Sequence, residues 1–411
     1  MQTSLAIPAR RYDLDWLRVI AFGVLIFYHI GMFYVTWGWH VKSPHMGPAP
    51  ELLMMLVSPW RLALLFFISG VVVRYAMDKA PLGRFAWRRF WRLFIPVVFG
   101  VAVVVMPQAY FQLRQSGAIE PGILAFWAGY FSFDDHFGTI TPTWNHLWYV
   151  VYLLVYTMIV AALAPVLRPA GDKIAGMSVR AGLAAVALTP LPFLIYRFTV
   201  DPAFEVTHNL VNDWANHAHR FTIFLLGFLI ANSDGFWRAI DKATRPALGF
   251  VALSVPLFAT AWFGDNWEKI EAAGLADFLR SLRIVYAWAV IVALCGLARR
   301  RLNRDGPMLR YLTNAVFCYY ILHQTITVAV GYHLAKIGLS WQAEFLLLVI
   351  ATVAGCAAGY EVFRRIPGLR FALGIEERRR PLKSAAGPEA PAAPSAADAA
   401  AKTASRAKAA A

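Results

Sequence analysis

Residues 15–29 read DWLRVIAFGVLIFYH, and the reading of this stretch decides the fold. It is an apolar run with charge at its start and an imidazole well inside it. A helix turns about 100° and rises about 1.5 Å per residue, so Arg18 and His29 fall within roughly 20° of one another and about 16 Å apart along the axis. Asp15 lies roughly 40° off the same line. One face of a single apolar helix is therefore expected to carry an acid, a guanidinium near its end and a histidine near mid-depth.

The rest of the chain explains why that helix is apolar. Of 411 residues, 59% are hydrophobic, 15% aromatic and only 15% charged, and the mean hydropathy is +0.52. Soluble domains sit nearer half apolar and a quarter charged, so the composition describes a polytopic membrane protein. Ten apolar runs are long enough, or nearly so, to span: about 14–34, 51–75, 93–112, 144–167, 181–198, 220–232, 246–263, 282–297, 309–334 and 341–363. The sixth is short for a hydrocarbon layer of about 30 Å and is expected to be broken, tilted or to start earlier. The first run is expected to stay in the protein rather than be cleaved as a signal. Residues 1–13 form a basic arm, 14–370 the membrane domain, and 371–411 a solvated tail rich in Arg, Lys, Ala and Pro.

The net charge of +15 has a location. Arginines crowd alternate loops (74–92, 168–180, 238–245, 299–310 and 364–380), while the other loops hold few cations among aspartates and glutamates. Positive charge stays cytoplasmic, so both termini are expected inside, and the charge is topology rather than a nucleic-acid surface. Cys295, Cys318 and Cys356 all lie in apolar runs and read as small hydrophobes. Tryptophans in the outer loops, Trp37, Trp39, Trp144, Trp214, Trp262, Trp267 and Trp341, read mainly as an interfacial belt.

Ionisable groups inside spans are costly and mark a site or a pathway. His29, His323 in YYILHQT and His146 in WNHLWYV are the histidines so placed, though a hydrogen bond to a neighbouring helix would also account for His146 and His323. Histidine is the usual general base near neutral pH. Arg89 and Arg92, three residues apart, share one helical face at the start of the third span, and guanidinium forks match phosphate geometry; positive flanks also merely anchor helices. Ser69-Gly70 in the second span permits close helix approach. His208, His217 and His219 lie near acids at spacings that fit no metal-ligand pattern, and no metal site is assigned.

Taken together these residues resemble the integral-membrane acyltransferases of acyltransferase family 3, over about residues 11–370. The family's first-span arginine, ten residues, histidine pattern falls on Arg18 and His29, and its LDxLR opening on Leu14 to Arg18. LFFISG at 65–70 matches its second span, the arginine-x-x-arginine pattern falls on Arg89 and Arg92, and HLWY at 146–149 and YILH ending at His323 match later segments. Pro96 stands one residue later than in many relatives, which leaves Arg88 as an alternative to Arg89. The resemblance implies a cytoplasmic acyl-CoA donor, with succinyl-CoA expected, whose phosphates meet Arg89, Arg92, Arg18 and Arg88. It implies His29 as the catalytic base on a hydroxyl of a periplasmic glucan, or as carrier of the acyl group. Asp15, Ser69, His146, Trp148 and His323 would support the site. No tightly bound cofactor or metal is implied, the partners being acyl-CoA, the glucan and membrane lipid without nucleic acid, in a bacterial inner membrane. A secondary transporter would also carry mid-membrane ionisable groups, and a glycan-export subunit would need neither His29 nor the arginine pair.

Overall fold

The structure, a computed structural model, describes residues 10–135, 137–262 and 266–375. Among these, helices and turns make up the chain, apart from one isolated bridge between Asp134 and Thr141. In hydrocarbon a backbone must satisfy its own polar groups, and an apolar helix does so within one segment. Among the described residues nine helical stretches are long and apolar enough to cross a membrane: α1 (Tyr12–Met32), α2 (Glu51–Asp78), α3 (Leu82–Gln115), α4 (Asn145–Ala162), α5 (Val179–Thr199), α7 (Asp234–Trp262), α8 (Ala276–Arg301), α9 (Pro307–Leu334) and α10 (Trp341–Phe363). Between α5 and α7, α6 (Trp214–Ile230) has 17 residues. It begins six residues before the expected sixth span, because Asp213 is buried and His217 and His219 find partners within the protein.

Five of these helices, α1, α2, α3, α4 and α9, set the site. The second, α2, lies against α6 so closely that a Cβ at Gly70 would strike the Phe224 carbonyl, and one at Gly227 the Phe67 carbonyl. Close backbone approach is the use expected of Ser69-Gly70. Around that seam Phe66, Phe67, Phe224 and Phe228 are fully buried in the central core. Neighbouring pairs are α1 with α9, α3 with α4, and α9 with α10. The third helix contains a π-helical turn at Gly100–Val105. Such turns insert residues into an α-helix and often lie at functional sites. Here the hydroxyl of Thr325 donates to the Val104 carbonyl at 2.5 Å, and Gln108 follows one turn later.

The chain does not leave the site after α1. It turns at Met32 and folds residues 33–50 back over the helix end, with the Ser43 amide donating to the Phe33 carbonyl at 3.0 Å and the Gly47 amide to the Tyr34 carbonyl at 2.8 Å. The Lys42 ammonium donates to the carbonyls of Met32 and Trp37 at 2.7 and 2.8 Å, satisfying groups that the end of α1 leaves open. Burial pushes that amine down to about 8. At the other end of the chain, Leu373 and Ile375 are buried against the helices; the remainder of the expected tail lies outside the described residues, as do residues 1–9 of the N-terminal arm.

Candidate active site

His29 sits in the last turn of α1, which stops at Met32 and is covered by the reversing loop. From α9, His323 meets it: His29 Nδ1 and His323 Nε2 are 2.8 Å apart. The ring planes differ by 10° and the centroids are 5.0 Å apart. With the nitrogens that close, the two imidazoles meet edge to edge, not face to face. The other nitrogen of His323, Nδ1, lies 2.6 Å from the Tyr320 carbonyl.

These contacts fix the protons. A carbonyl only accepts, so His323 Nδ1 carries hydrogen and donates to Tyr320. In a neutral ring Nε2 is then an acceptor, and the hydrogen between the rings belongs to His29 Nδ1. Neutral His29 is left with a bare lone pair on Nε2, to which no hydrogen bond runs from the described residues. A carbonyl orients one imidazole, which orients a second, and the second presents a base.

His146 joins from the opening turn of α4. Its Nε2 donates to the Ile321 carbonyl at 3.1 Å, its ring meets His323 edge-on with centroids 5.1 Å apart, and the His146 carbonyl accepts from the Tyr320 hydroxyl. A hydrogen bond to a neighbouring helix was one reading of His146, and it holds. Next to it Gln108 is a hub. Its amide nitrogen donates to Thr325 Oγ1 at 2.7 Å and lies 3.4 Å from His146 Nδ1. Its carbonyl oxygen accepts from Asn145 and Gln324, both at 3.0 Å. Gln324 also donates to His40 Nε2 at 2.9 Å, and His40 Nδ1 donates to Gln112 Oε1 at 2.5 Å. Burial holds the His40 imidazole below its ordinary range, against a smaller opposing pull from Gln112. Every bond in this chain has one donor and one acceptor, so the network fixes its neighbours' orientations.

Toward the arginine-rich side the lining changes. The hydroxyls of Ser69 and Tyr149 are 2.8 Å apart; Tyr149 packs against Phe66 with centroids 4.7 Å apart. Arg18 and Arg89 both lie within electrostatic reach of that Tyr149 hydroxyl. Residues 71 positions apart in sequence thus converge roughly 16 Å inward of His29, by the helical rise of α1. Arg89 is half-buried, whereas Arg88 and Arg92 are exposed, which distinguishes the two candidates the sequence left open. Asp15 takes two bonds from Arg10 at 2.9 and 3.0 Å and lies 3.8 Å from Arg18. Trp148 is buried beside Phe66 and Tyr152, and His208 stacks on it with centroids 4.4 Å apart.

The three histidines expected in a loop, of which His217 and His219 lie in α6, have separate partners. His217 contacts the Tyr156 hydroxyl at 2.9 Å and the Leu210 carbonyl at 2.8 Å, and His219 pairs with Asp201 at 2.8 Å. Among the described residues no group of three or more His, Cys, Asp or Glu side chains is placed to hold a metal ion.

Sequence reasoning passed over Gln108, Asn145, Gln324 and Thr325. Gln108 and Gln324 did carry a signal, since each is a strongly polar group within an apolar run. It was weaker than a charge, and the pairing of His29 with His323, 294 residues away, left no local trace.

The chain matches known proteins along most of its length. The family model described as an acyltransferase domain matches residues 11–361. The chain is 24% identical to glucans biosynthesis protein C of Escherichia coli strain K12, over 89% of this chain and 94% of that protein. It is 24% identical to glucans biosynthesis protein C of Salmonella schwarzengrund, over 89% and 95% respectively. No solved structure matches the chain. With a match across most of its length, and apolar helices throughout, this chain belongs to the acyltransferase family 3 of multi-pass membrane O-acyltransferases.

Proposed function

We propose that this protein moves a succinyl group from cytoplasmic succinyl-CoA, across the inner membrane, to a hydroxyl of a periplasmic glucan. The observation that carries the chemistry is the proton order Tyr320 carbonyl, His323, His29, which leaves Nε2 of His29 as a positioned base. Family membership supports acyl transfer, and the printed name of the relatives supports a glucan acceptor.

In this reading the donor phosphates rest on Arg89, Arg92 and Arg18, where guanidinium forks suit them. The pantetheine arm runs past Tyr149 and Ser69 to bring the thioester to His29. The acceptor arrives from the other side, under the loop that carries His40. His29 Nε2 takes the hydroxyl proton as the oxygen attacks the thioester carbonyl. The tetrahedral intermediate collapses, the carbon–sulfur bond breaks, and the thiolate recovers the proton from His29. His323 stabilises the transient imidazolium by accepting its Nδ1–H, a task that the Tyr320 carbonyl prepares it for.

The test is CoA release by the purified protein in vesicles, with succinyl-CoA or acetyl-CoA and with or without glucan. Release that requires glucan and prefers succinyl-CoA is the expected result. A stoichiometric burst without glucan would mark an acyl-imidazole route through the same nitrogen. Release with acetyl-CoA alone overturns the succinyl assignment, and no release from any donor by folded protein overturns acyl transfer in favour of transport or export.

A further inference from the structure

A second buried polar cluster stands beside His29. Arg61 of α2 is 9% exposed, and its guanidinium carbon lies 3.4 Å from the centre of the Tyr28 ring. Tyr28 in turn is 6.1 Å from the His29 ring, centroid to centroid. The two separations laid end to end bound the guanidinium to within 10 Å of the imidazole. Arg220 and Arg283 are both within electrostatic reach of Arg61.

These three cations are satisfied differently from other arginines of the chain. Arg61 donates to the Ser58 carbonyl at 2.9 Å, Arg220 to the Asn216 side-chain oxygen at 3.0 Å and Arg283 to the Met55 carbonyl at 3.3 Å. Among the described residues none of the three has a carboxylate within 4 Å, while Arg197 at the rim is paired with Asp277 at 2.8 Å. The Nε atoms of Arg61 and Arg283 are buried without a hydrogen-bond partner. Among the described residues Asp213 is the carboxylate within electrostatic reach of Arg220, and it already accepts from Tyr152, Asn216 and the Thr207 and His208 amides at 2.6–3.1 Å. Arg220 and Arg283 line a cavity of about 610 Å³ walled by Phe193, Trp288 and Ile223; its one lining carboxylate among the described residues, Asp201, pairs with His219 at 2.8 Å, and Arg61 reaches its edge through the Ser58 carbonyl. Burying uncompensated cations inside a membrane protein is costly, and such groups face the bundle interior and mark ligand sites.

We infer that this cluster receives the free carboxylate of a dicarboxylic acyl group, with Arg61 its nearest contact, and so selects a charged acyl donor over a neutral one. The inference rests on the acyl-transfer reading proposed above. In that reading the acyl group and the acceptor hydroxyl are the parts of the substrates that must come against His29. A glucan hydroxyl is neutral, so the anion that three arginines call for belongs to the acyl chain. A four-carbon dicarboxylic chain attached at the thioester carries its far carboxylate several ångströms from the reacting carbon, the scale of the gap between His29 and Arg61.

The experiment compares succinyl-CoA with butyryl-CoA, which has the same chain length and no carboxylate, in phosphatidylcholine vesicles with glucan as acceptor. Wild type is expected to prefer succinyl-CoA. Arg61→Gln is expected to lower kcat/KM for succinyl-CoA about 10- to 100-fold, the loss of a charged hydrogen bond, and to leave butyryl-CoA within about 3-fold, with Arg61→Lys recovering part of the loss. Arg283→Gln should shift the same ratio in the same direction by less, and it decides the matter if Arg61→Gln does not fold. Equal losses for both donors overturn the assignment, because a structural role would not discriminate between them. Equal use of both donors by wild type overturns it too while leaving acyl transfer intact. No release from any donor removes the acyl-transfer reading and this one with it.

Discussion

The two ends of the path along α1 hold polar groups in opposite ways. At the His29 end, neutral rings and amides meet donor to acceptor, and His323, His146 and Gln108 are buried. At the Arg18 end the groups are charged and partly exposed, and they converge on the single hydroxyl pair of Tyr149 and Ser69. Under the proposed reaction the difference follows from the work. A proton taken from a weakly acidic hydroxyl needs a base in one tautomer and one orientation, which a closed hydrogen-bond network supplies. Phosphates that come and go need charge and access, and lose affinity to rigid burial.

Mutations should therefore separate turnover from donor affinity. At the imidazole end the largest effect after His29 itself belongs to His323. Its replacement by Ala is expected to lower kcat about 10²-fold, with KM for acyl-CoA nearly unchanged, because His29 loses the partner that fixes its tautomer. His323→Gln, whose amide oxygen can accept from His29 Nδ1, should recover part of that loss; no difference between Ala and Gln would break the proton assignment. At the arginine end Arg89→Ala is expected to raise KM for acyl-CoA about 10-fold with little change in kcat. Arg88→Ala should change it less than about 2-fold, since that side chain is exposed where Arg89 is half-buried; equal effects would return the choice to where the sequence left it.

The smallest expected effect comes from pH. His40 is held below the ordinary imidazole range by burial. Below about pH 6.5 the unfolded chain therefore binds a proton that the folded chain resists. Stability should be full above that pH and fall as pH drops through the window. Melting temperatures of wild type and His40→Gln between pH 7.5 and 5 measure it, and the variant should show the shallower decline.

Much of this architecture was legible because helices in lipid are periodic and apolar. The separation of Arg18 and His29 follows from helical rise alone, and the arginine-rich loops fix which helix ends lie together. The place of His29 in the last turn of its helix, under a reversing loop, was not legible, because an apolar run does not mark where a helix stops when a loop folds back over it. Nor was the partner of His29, since nothing local to His323 says which helix faces it. Arg61 was passed over although it stands near the centre of the second expected span, where a charge is itself a signal; what it does comes from Tyr28, Arg220 and Arg283 around it.

The central claim is that Nε2 of His29 takes the acceptor proton. The most direct measurement is the transfer of label from acyl-CoA to glucan by wild type and His29→Ala in vesicles, with thermal melting recorded on the same preparations. The account predicts a loss of at least about 10³-fold in kcat, within the range of a general base, at an unchanged melting temperature. Transfer at the wild-type rate by the folded variant would contradict it.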